Sequence, residues 1–278
     1  MELVRARVVA NEAIMPDTHV LHLESAELGR AAAPGQFVHI RCGPTWEPLL
    51  RRPMSVYRIR REGVSLMVRA VGEGSAIIAA SQPGEVVDCL GPLGKPFTVA
   101  PTSRRLVMLG GGYGVAPLVA LAEHVLPRGR EVVLLVGAAT ADYVFPADLV
   151  PPEVEYQVAT MDGSLGHAGY VTELLPPYLD WADGVYACGP TPMLAAVSRA
   201  ALTPRNALVP SPLSQAWRSG PGGAGSPPKP VQLAMEQHMG CAMGVCLGCV
   251  VRTRHGYQRV CRDGPVFSAE ELCWEELA

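Results

Sequence analysis

The sequence contains little charge, and almost none of its positive charge comes from lysine. Charged residues make up 18% of the 278 positions, the formal net charge is −3, and Lys95 and Lys229 are the only lysines. Binding to nucleic acid or to an anionic membrane surface usually requires a clearly basic protein or patch. The composition therefore predicts that the protein binds neither nucleic acid nor a membrane surface.

Long hydrophobic runs are also missing. The longest uncharged stretch, residues 106–122, is interrupted by glycines and a proline, and it is shorter than the roughly 20 residues that cross a bilayer. Residues 1–5 do not begin an apolar secretory signal. The eight cysteines are too few for a disulfide scaffold in a chain of this length. We therefore expect a cytoplasmic protein whose thiols are reduced.

Half of the cysteines are concentrated near the C-terminus with the spacing C-x4-C-x2-C, followed by a fourth cysteine after eleven intervening residues. These residues are Cys241, Cys246, Cys249 and Cys261. The spacing is the ligand pattern of plant-type [2Fe-2S] clusters, and three glycines in the same loop allow backbone amides to approach the inorganic sulfides. A structural zinc site is the alternative, but zinc sites usually use two short cysteine pairs and only one is present.

The other cysteines and the apolar residues of the loop have less specific interpretations. Cys42, Cys89 and Cys273 show no ligand spacing, so we expect ordinary buried thiols. Four apolar residues surround the predicted ligands, and they form either a docking face for a partner or a shield for the cluster. These four residues are Met239, Ala242, Met243 and Val245.

The first 100 residues show short segments of alternating polarity, separated by turn residues, which are typical of antiparallel strands. Six strands are predicted, at residues 4–8, 18–23, 36–41, 54–59, 64–71 and 85–90, together with one brief helix at residues 75–80. This pattern indicates a small antiparallel β-barrel. Within it, Arg51 and Arg52 could bind a pyrophosphate, although a solvated arginine pair on an edge strand is the default interpretation. Ser75 is a plausible N-cap of the brief helix, whose N-terminus suits an anion.

From about residue 101 the pattern changes to apolar strands, a glycine loop and helices, which indicates a parallel α/β domain. Strands are predicted at residues 105–109, 131–136, 154–160 and 184–188, and helices after the glycine loop and at residues 142–149, 170–175 and 192–202. Residues 205–230 are rich in proline and glycine and are predicted to be an insertion or linker. Residues 231–235 form a last strand before the cysteine loop. The predicted divisions are therefore 1–100, 101–204, 205–230 and 231–278, an α+β multi-domain chain.

The glycine loop has features of a dinucleotide site. Gly112 and Gly114 allow the backbone to approach a pyrophosphate at a helix N-terminus, although Pro117 replaces the last glycine of G-x-G-x-x-G. A structural turn before a helix is an equally good interpretation of this loop. No arginine follows the next strand to meet a ribose phosphate, which favours NAD(H) over NADP(H). Cys188, at the end of another strand, is either a small residue against a nicotinamide ring or a core thiol.

Together these motifs resemble the ferredoxin-NADP reductase superfamily, and within it the electron-transfer subunits of NAD-dependent dihydroorotate dehydrogenases. They follow the order of that family along nearly the whole chain except the insertion. The matching stretches are residues 52–55, 67–69, 74–75, 90–94, 110–117, 161–166, 188–190 and the cysteine loop through residue 267. The resemblance implies an FAD-binding barrel, an NAD-binding α/β domain and a small [2Fe-2S] domain.

The resemblance also implies roles for individual residues. FAD would be bound by Arg52, Pro53, Met54, Ser55, Met67, Val68, Arg69, Gly74 and Ser75. NAD(H) would be bordered by Gly112, Gly114, Cys188, Gly189 and Pro190, and Ser55 and Cys188 would be the catalytic positions nearest the reacting rings. The chain departs from the family where Met54 replaces a common ring-stacking tyrosine, where Ser75 replaces a common threonine, and in its long insertion.

The implied activity is an electron relay. NADH delivers two electrons as hydride and a [2Fe-2S] cluster takes one at a time, so a flavin must stand between them. The implied partner is an FMN-containing catalytic subunit that oxidises dihydroorotate to orotate, with the two subunits forming a heterotetramer. Two alternatives remain: an NAD(P)H-dependent ferredoxin, sulfide or polysulfide reductase subunit, and a non-catalytic binding module closed by zinc.

Overall fold

The N-terminal part of the chain is a closed antiparallel barrel. The computed structural model describes residues 2–203 and 229–277. The six strands are β1 (Glu2–Met15), β2 (Thr18–Glu24), β3 (Phe37–Ile40), β4 (Arg52–Arg60), β5 (Gly63–Arg69) and β6 (Val86–Leu93), arranged in the order β1-β2-β5-β4-β3-β6. The alternation of apolar and polar side chains along each strand produces this structure. In β1, for example, Val4, Ala6 and Val8 point into the barrel while their neighbours face outward. The predicted barrel is confirmed.

Two helices accompany the barrel instead of the single one that was predicted. Helix α1 (Ala26–Ala31) was not predicted, because it has only six residues and a single buried leucine, too few to show helical periodicity. Ser25 is its N-cap. Helix α2 (Glu73–Ala79) begins after Gly72. The prediction of Ser75 as N-cap is wrong, because Ser75 lies in the first turn, where its hydroxyl accepts hydrogen bonds from the amides of Val71 and Gly72.

The central part is a mainly parallel sheet of seven strands, the last of which, β15 (Val266–Ser268), lies near the C-terminus; the strand order is β10-β9-β8-β7-β11-β12-β15. Six of its strands pair with one another in parallel: β7 (Arg105–Gly111), β8 (Glu131–Ala138), β9 (Glu155–Thr160), β10 (His167–Ala168), β11 (Gly184–Cys188) and β12 (Val231–Ala234). Helices α3 (Ala116–Val125) and α4 (Thr191–Leu202) follow β7 and β11. Both helices have a proline in the first turn, where its missing N–H costs no hydrogen bond.

Two of the predicted helices in this part are wrong. Residues 142–149 form two single 3-10 turns, Ala141–Tyr143 and Ala147–Leu149, because Pro146 interrupts the segment and disfavours helix at the residue before it. Residues 170–175 contain one 3-10 turn, Val171–Leu174, since prolines follow immediately.

The C-terminal part is attached to the same sheet. The predicted last strand is confirmed as β12, and β15 (Val266–Ser268) pairs with it antiparallel. Between them lie the cysteine loop and a hairpin of β13 (Val250–Thr253) and β14 (Gly256–Arg259). Most of the predicted insertion lies outside the described residues.

The barrel packs against the central sheet through buried side chains. The rings of Tyr57 and Phe145 meet edge to face at 5.9 Å, as do those of Phe97 and Tyr186 at 5.8 Å. Gln232 on β12 donates to the carbonyl of Thr98 at 2.6 Å. Within the described residues, no helix is both long and apolar enough to cross a membrane.

Candidate functional site

A cavity of about 630 Å³ opens where β7, β8 and β11 end at their carboxyl edge. Ligands of open α/β sheets bind at this edge because the loops there diverge. Residues of the barrel form its opposite wall. The lining residues are Met15, Thr18, Arg69, Gly111, Gly112, Tyr113, Gly137, Ala138, Ala139, Tyr143, Met161, Gly169, Tyr170, Val171, Thr172, Pro190, Pro192, Met193 and Ala196. The volume and the mostly apolar lining of the cavity suit a dinucleotide whose rings lie inside it.

The two glycines of the glycine loop that were predicted to bind nucleotide occupy different positions, one on the cavity wall and one packed beneath it. Gly112 lines the cavity and has φ +55°, a conformation that favours glycine. Gly114 is buried, and a Cβ there would lie 2.4 Å from the carbonyl oxygen of Cys188, so only glycine allows this close approach. Of these two predicted nucleotide-binding residues, the structure therefore places Gly112 on the cavity wall and Gly114 below it.

Behind the cavity wall, Cys188 contacts a carboxyl group. Cys188 is 2% exposed, and its Sγ lies 3.7 Å from Oε1 of Glu236. Burial raises the pKa of the Cys188 thiol well above its usual range, and it also raises the pKa of Glu236. The charge of the Glu236 carboxyl and partial burial raise the pKa of Tyr113 to about 12. Pro190 lines the cavity, whereas Cys188 and Gly189 lie just behind it.

The predicted FAD residues lie around β4, β5 and the start of α2. The Arg52 guanidinium covers Gly74, where a Cβ would stand 2.8 Å from Cζ. Arg69 stacks on the Tyr143 ring at 4.8 Å and so joins β5 to the cavity. Ser55 and Pro53 are half-buried on the outer side of β4, opposite Phe37 and His39.

Three of the predicted FAD residues have buried side chains. Met54 is 8% exposed and packs in the barrel core, so it presents no free face for ring stacking. Val68 also belongs to the barrel core, whereas Met67 packs between the barrel and the sheet. The remaining set still fits FAD, because Arg52 offers a guanidinium for the pyrophosphate and Gly74 leaves the space that this guanidinium requires.

Backbone amides connect the four cysteines of the loop as two pairs. The amide of Cys246 donates to Sγ of Cys241 at 3.5 Å, and the amide of Cys261 donates to Sγ of Cys249 at 3.4 Å. Across the described residues, no three His, Cys, Asp or Glu side chains are grouped around one metal-ion position. Each pair supplies two cysteines, which matches a binuclear [2Fe-2S] centre because each of its irons takes two thiolates.

The backbone of the loop favours a thiolate at Cys241, whereas the pKa of Cys261 is shifted in the opposite direction. Ala242 and Leu247 have φ +55° and +59°, which turns successive amides toward the sulfur atoms. Although burial acts in the opposite direction, hydrogen bonds from the Cys246 and Met243 amides lower the pKa of Cys241 to about 6. Burial and the hydrogen bond to Cys249 raise the pKa of Cys261 to about 12. Cys241 is therefore prepared as a thiolate ligand, and Cys261 would release its proton when it binds a cluster.

The prediction of buried thiols is met by two of the three cysteines outside the loop and Cys188. Cys42 and Cys89 are buried free thiols, whereas Cys273 is half-buried. Sequence reasoning missed Tyr113, Tyr143, Tyr170 and Glu236, which line or support the cavity. No motif spacing distinguishes these residues; their position directly after predicted strands was the available signal for Tyr113 and Glu236.

Solved structures with a similar fold define the class of protein. The fold matches the structure described as NADH-dependent reduced ferredoxin-NADP oxidoreductase with a TM-score of 0.78 and 27% identity, over 98% of this chain and 91% of that chain. The ferredoxin reductase of carbazole 1,9a-dioxygenase matches in fold alone, with a TM-score of 0.63, 22% identity, and coverage of 74% of this chain and 67% of that one. The fold is therefore that of the ferredoxin reductases.

Sequence relatives then give the family. The electron transfer subunit of dihydroorotate dehydrogenase B (NAD(+)) from Desulforamulus reducens is 34% identical over 97% of this chain and 98% of its own length. The same subunit from Geobacillus thermodenitrificans is 38% identical over 96% and 97%. Residues 236–273 match the iron-sulfur cluster binding domain of dihydroorotate dehydrogenase B. The chain belongs to the family of dihydroorotate dehydrogenase B electron transfer subunits.

These matches confirm the predicted family, the predicted fold class and the oxidoreductase class. The predicted cofactors are supported in the same way, because the C-terminal part is an iron-sulfur domain by its own match and the barrel and sheet are those of flavin-linked reductases. The cofactor set is FAD, a [2Fe-2S] cluster and NAD(H).

Proposed function

We propose that this chain relays electrons between NAD(H), FAD and a [2Fe-2S] cluster for a separate catalytic subunit. The observation that carries the proposal is the path of β12. This strand pairs with β11 at the edge of the cavity and leads directly to the cysteine loop. Cys241 lies seven positions after Ala234, and a fully extended chain of that length spans at most about 25 Å.

The residues of the chain divide the task of holding the nucleotides. Arg52 binds the FAD pyrophosphate at the start of α2, and Arg69 with Met67 lines the remainder of that site. The half-buried Ser55 is the residue of β4 that would face the reacting part of the flavin. Gly112 and Pro190 border NAD(H) in the cavity, with Gly114 and Cys188 supporting the loop from behind. The bound flavin supplies the exchange between two-electron and one-electron chemistry.

The four cysteines hold the cluster at the other end of the relay. Cys246 is exposed, whereas Cys249 and Cys261 are buried, so the cluster would reach the surface on the Cys246 side. An exposed edge is required because one-electron transfer to a second protein needs close approach. The dihydroorotate chemistry itself belongs to the partner, which we propose is an FMN-containing subunit in a cytoplasmic heterotetramer.

The surface around Cys246 is suited to this partner. Val245, Leu247 and Met243 are 71%, 60% and 42% exposed. Next to them, Leu247, Val250, Tyr257 and Arg259 line a depression of about 440 Å³. Ala242, by contrast, is 2% exposed and Met239 packs against the core, so these two residues shield the cluster. We assign Met243, Val245 and Leu247 to the surface that docks the catalytic subunit. An exposed apolar surface with one cationic residue, Arg259, beside it suits a stable protein contact.

A ferredoxin-linked reductase subunit is the second candidate function, because the structural match with a TM-score of 0.78 carries that description. Purification of the tagged chain from its own cell distinguishes the two. Recovery of an FMN-containing protein that oxidises dihydroorotate supports the first function. Recovery of an NADPH-linked complex with additional clusters and without dihydroorotate oxidation would support the second. A colourless, zinc-containing chain would establish the binding-module alternative.

A further inference from the structure

Strand β4 contains a β-bulge on the side of the barrel that faces helix α3. Its pairing with β5 is irregular between Val56 and Arg58. Val56 and Ile59 both pack in the barrel core, so the two residues between them, Tyr57 and Arg58, both face outward. A bulge changes the direction of side chains in this way. Two successive side chains of the barrel therefore meet the sheet part of the molecule.

Arg58 makes the polar contacts at this bulge. Its Nε lies 2.8 Å from Oε1 of Glu123 on α3, and another nitrogen of the guanidinium donates to the carbonyl of Leu149 at 2.7 Å. The side chains of Arg58 and Glu123 are 23% and 21% exposed, so salt and water screen this ion pair less than a surface pair. The guanidinium also lies over the Tyr57 ring at 4.8 Å. One side chain therefore connects β4 to α3 and to the 3-10 turn that ends at Leu149.

Two elements run from this ion pair to the cavity. Arg58 pairs with Ser65 on β5, and β5 continues for about 13 Å to Arg69, which belongs to the barrel wall of the cavity. Glu123 lies near the end of α3, about 10 Å along the helix from its first residue, Ala116. The glycine loop, which forms part of the opposite wall, directly precedes Ala116. Both walls of the cavity are therefore attached to elements that this ion pair joins.

We propose that Arg58 and Glu123 are positioning residues that hold the barrel against α3 and so set the distance between the two walls of the cavity. This inference rests on the proposed function, in which NAD(H) in the cavity exchanges hydride with FAD on the barrel. Hydride transfer requires the two reacting rings to be held close together and aligned. Neither Arg58 nor Glu123 lines the cavity, so their effect on the reaction is through the placement of the two walls.

Stopped-flow kinetics and binding measurements on the flavin- and cluster-loaded protein test the proposal with R58A, E123A and the double variant. The rate constant for flavin reduction at saturating NADH should fall about ten- to a hundredfold in R58A, because small displacements of reacting groups have effects of this size. The long-wavelength charge-transfer absorbance between nicotinamide and flavin should weaken in the same variants. The double variant should be no slower than R58A, since the two side chains form one contact. The affinity for ADP-ribose, which lacks the nicotinamide, should stay within about twofold in all of them.

Arg7 and Glu24 provide the matched control, because they form an Arg–Glu pair between two strands of the barrel. R7A should therefore reduce its flavin at the wild-type rate. E123Q keeps an oxygen that accepts from Arg58, so it should be slowed less than E123A. Unchanged flavin reduction in R58A and E123A, equal slowing in R7A, or an equally large loss of ADP-ribose affinity would each overturn the proposal. If R58A loses FAD or iron, then E123A and E123Q decide it. Wild-type protein whose flavin does not respond to NADH would instead refute the proposed function.

Discussion

The Arg52 guanidinium lies directly over Gly74, close enough that a Cβ on Gly74 would stand 2.8 Å from Cζ of Arg52. Arg52 opens β4 and Gly74 lies in the first turn of α2, so this contact joins the two segments that the sequence predicts for FAD binding. The clashing atoms are the flexible end of a side chain. An added methyl group therefore moves the cation rather than unfolding the barrel.

The variant G74A should lose FAD affinity by about ten- to a hundredfold, because the displaced guanidinium no longer makes charge-assisted hydrogen bonds to the pyrophosphate. Flavin retained after gel filtration and an FAD titration of the stripped protein measure the change. The matched control is G72A, where a Cβ has no heavy atom within 4 Å and φ is −169°. Equal FAD affinity in G74A and wild type would show that Arg52 does not bind the cofactor.

The variant C246S should lose most of the iron and keep the flavin, since Cys246 belongs to the cysteine loop and not to the barrel. Iron and FAD are quantified on the same anaerobically purified sample. C273S is the control, because Cys273 is also a partly accessible thiol but has no ligand spacing. Full iron content in C246S, or equal loss in C273S, would contradict the assignment of the ligands.

The cavity should accept NADH in preference to NADPH. Arg69 is the only cationic side chain among the described residues that line it, and that side chain is stacked on Tyr143. Adding a cation near the adenosine end, in M161R, should improve NADPH affinity about fivefold through one partly exposed charge pair. L165R is the control, since Leu165 is exposed in the same turn but does not line the cavity. The two nucleotide dissociation constants are measured for each protein; a larger gain in L165R would place the ribose elsewhere.

The variant M243D should weaken assembly with the catalytic subunit, because a desolvated carboxylate is unfavourable at an apolar contact. Assembly is followed by analytical ultracentrifugation of the mixed subunits. Val9 is 48% exposed on the barrel, so V9D adds the same charge away from the cysteine loop and should assemble normally. Normal assembly of M243D with full iron content would remove Met243 from the docking surface.

The parts of the fold that follow regular patterns could be predicted from the sequence. The strand β11 matches its predicted range, and the barrel strands match within a few residues at most ends, because alternation and turn residues determine them locally. The long β1 and the pairing of β12 with both β11 and β15 could not be predicted, since strand pairing depends on contacts between distant residues. Pro146 was the signal against the predicted helix at residues 142–149.

The site was predictable where motifs have a fixed spacing and not where single residues complete it. The cysteines and Gly112 follow from spacing alone. Glu236 lies 48 residues after Cys188, and the two meet only because β12 is placed beside β11. Met54 occupies a recognised motif position, yet the register of β4 turns its side chain into the barrel core.

An anaerobic titration of the flavin- and cluster-loaded protein with NADH tests the relay most directly. Visible absorbance should show the flavin bleach as NADH is added, and electron paramagnetic resonance should show a reduced [2Fe-2S] signal in the same sample. C246S should still bleach its flavin but give no cluster signal. Wild-type protein whose flavin does not respond to NADH, or whose flavin bleaches while the bound cluster stays oxidised, would contradict the account.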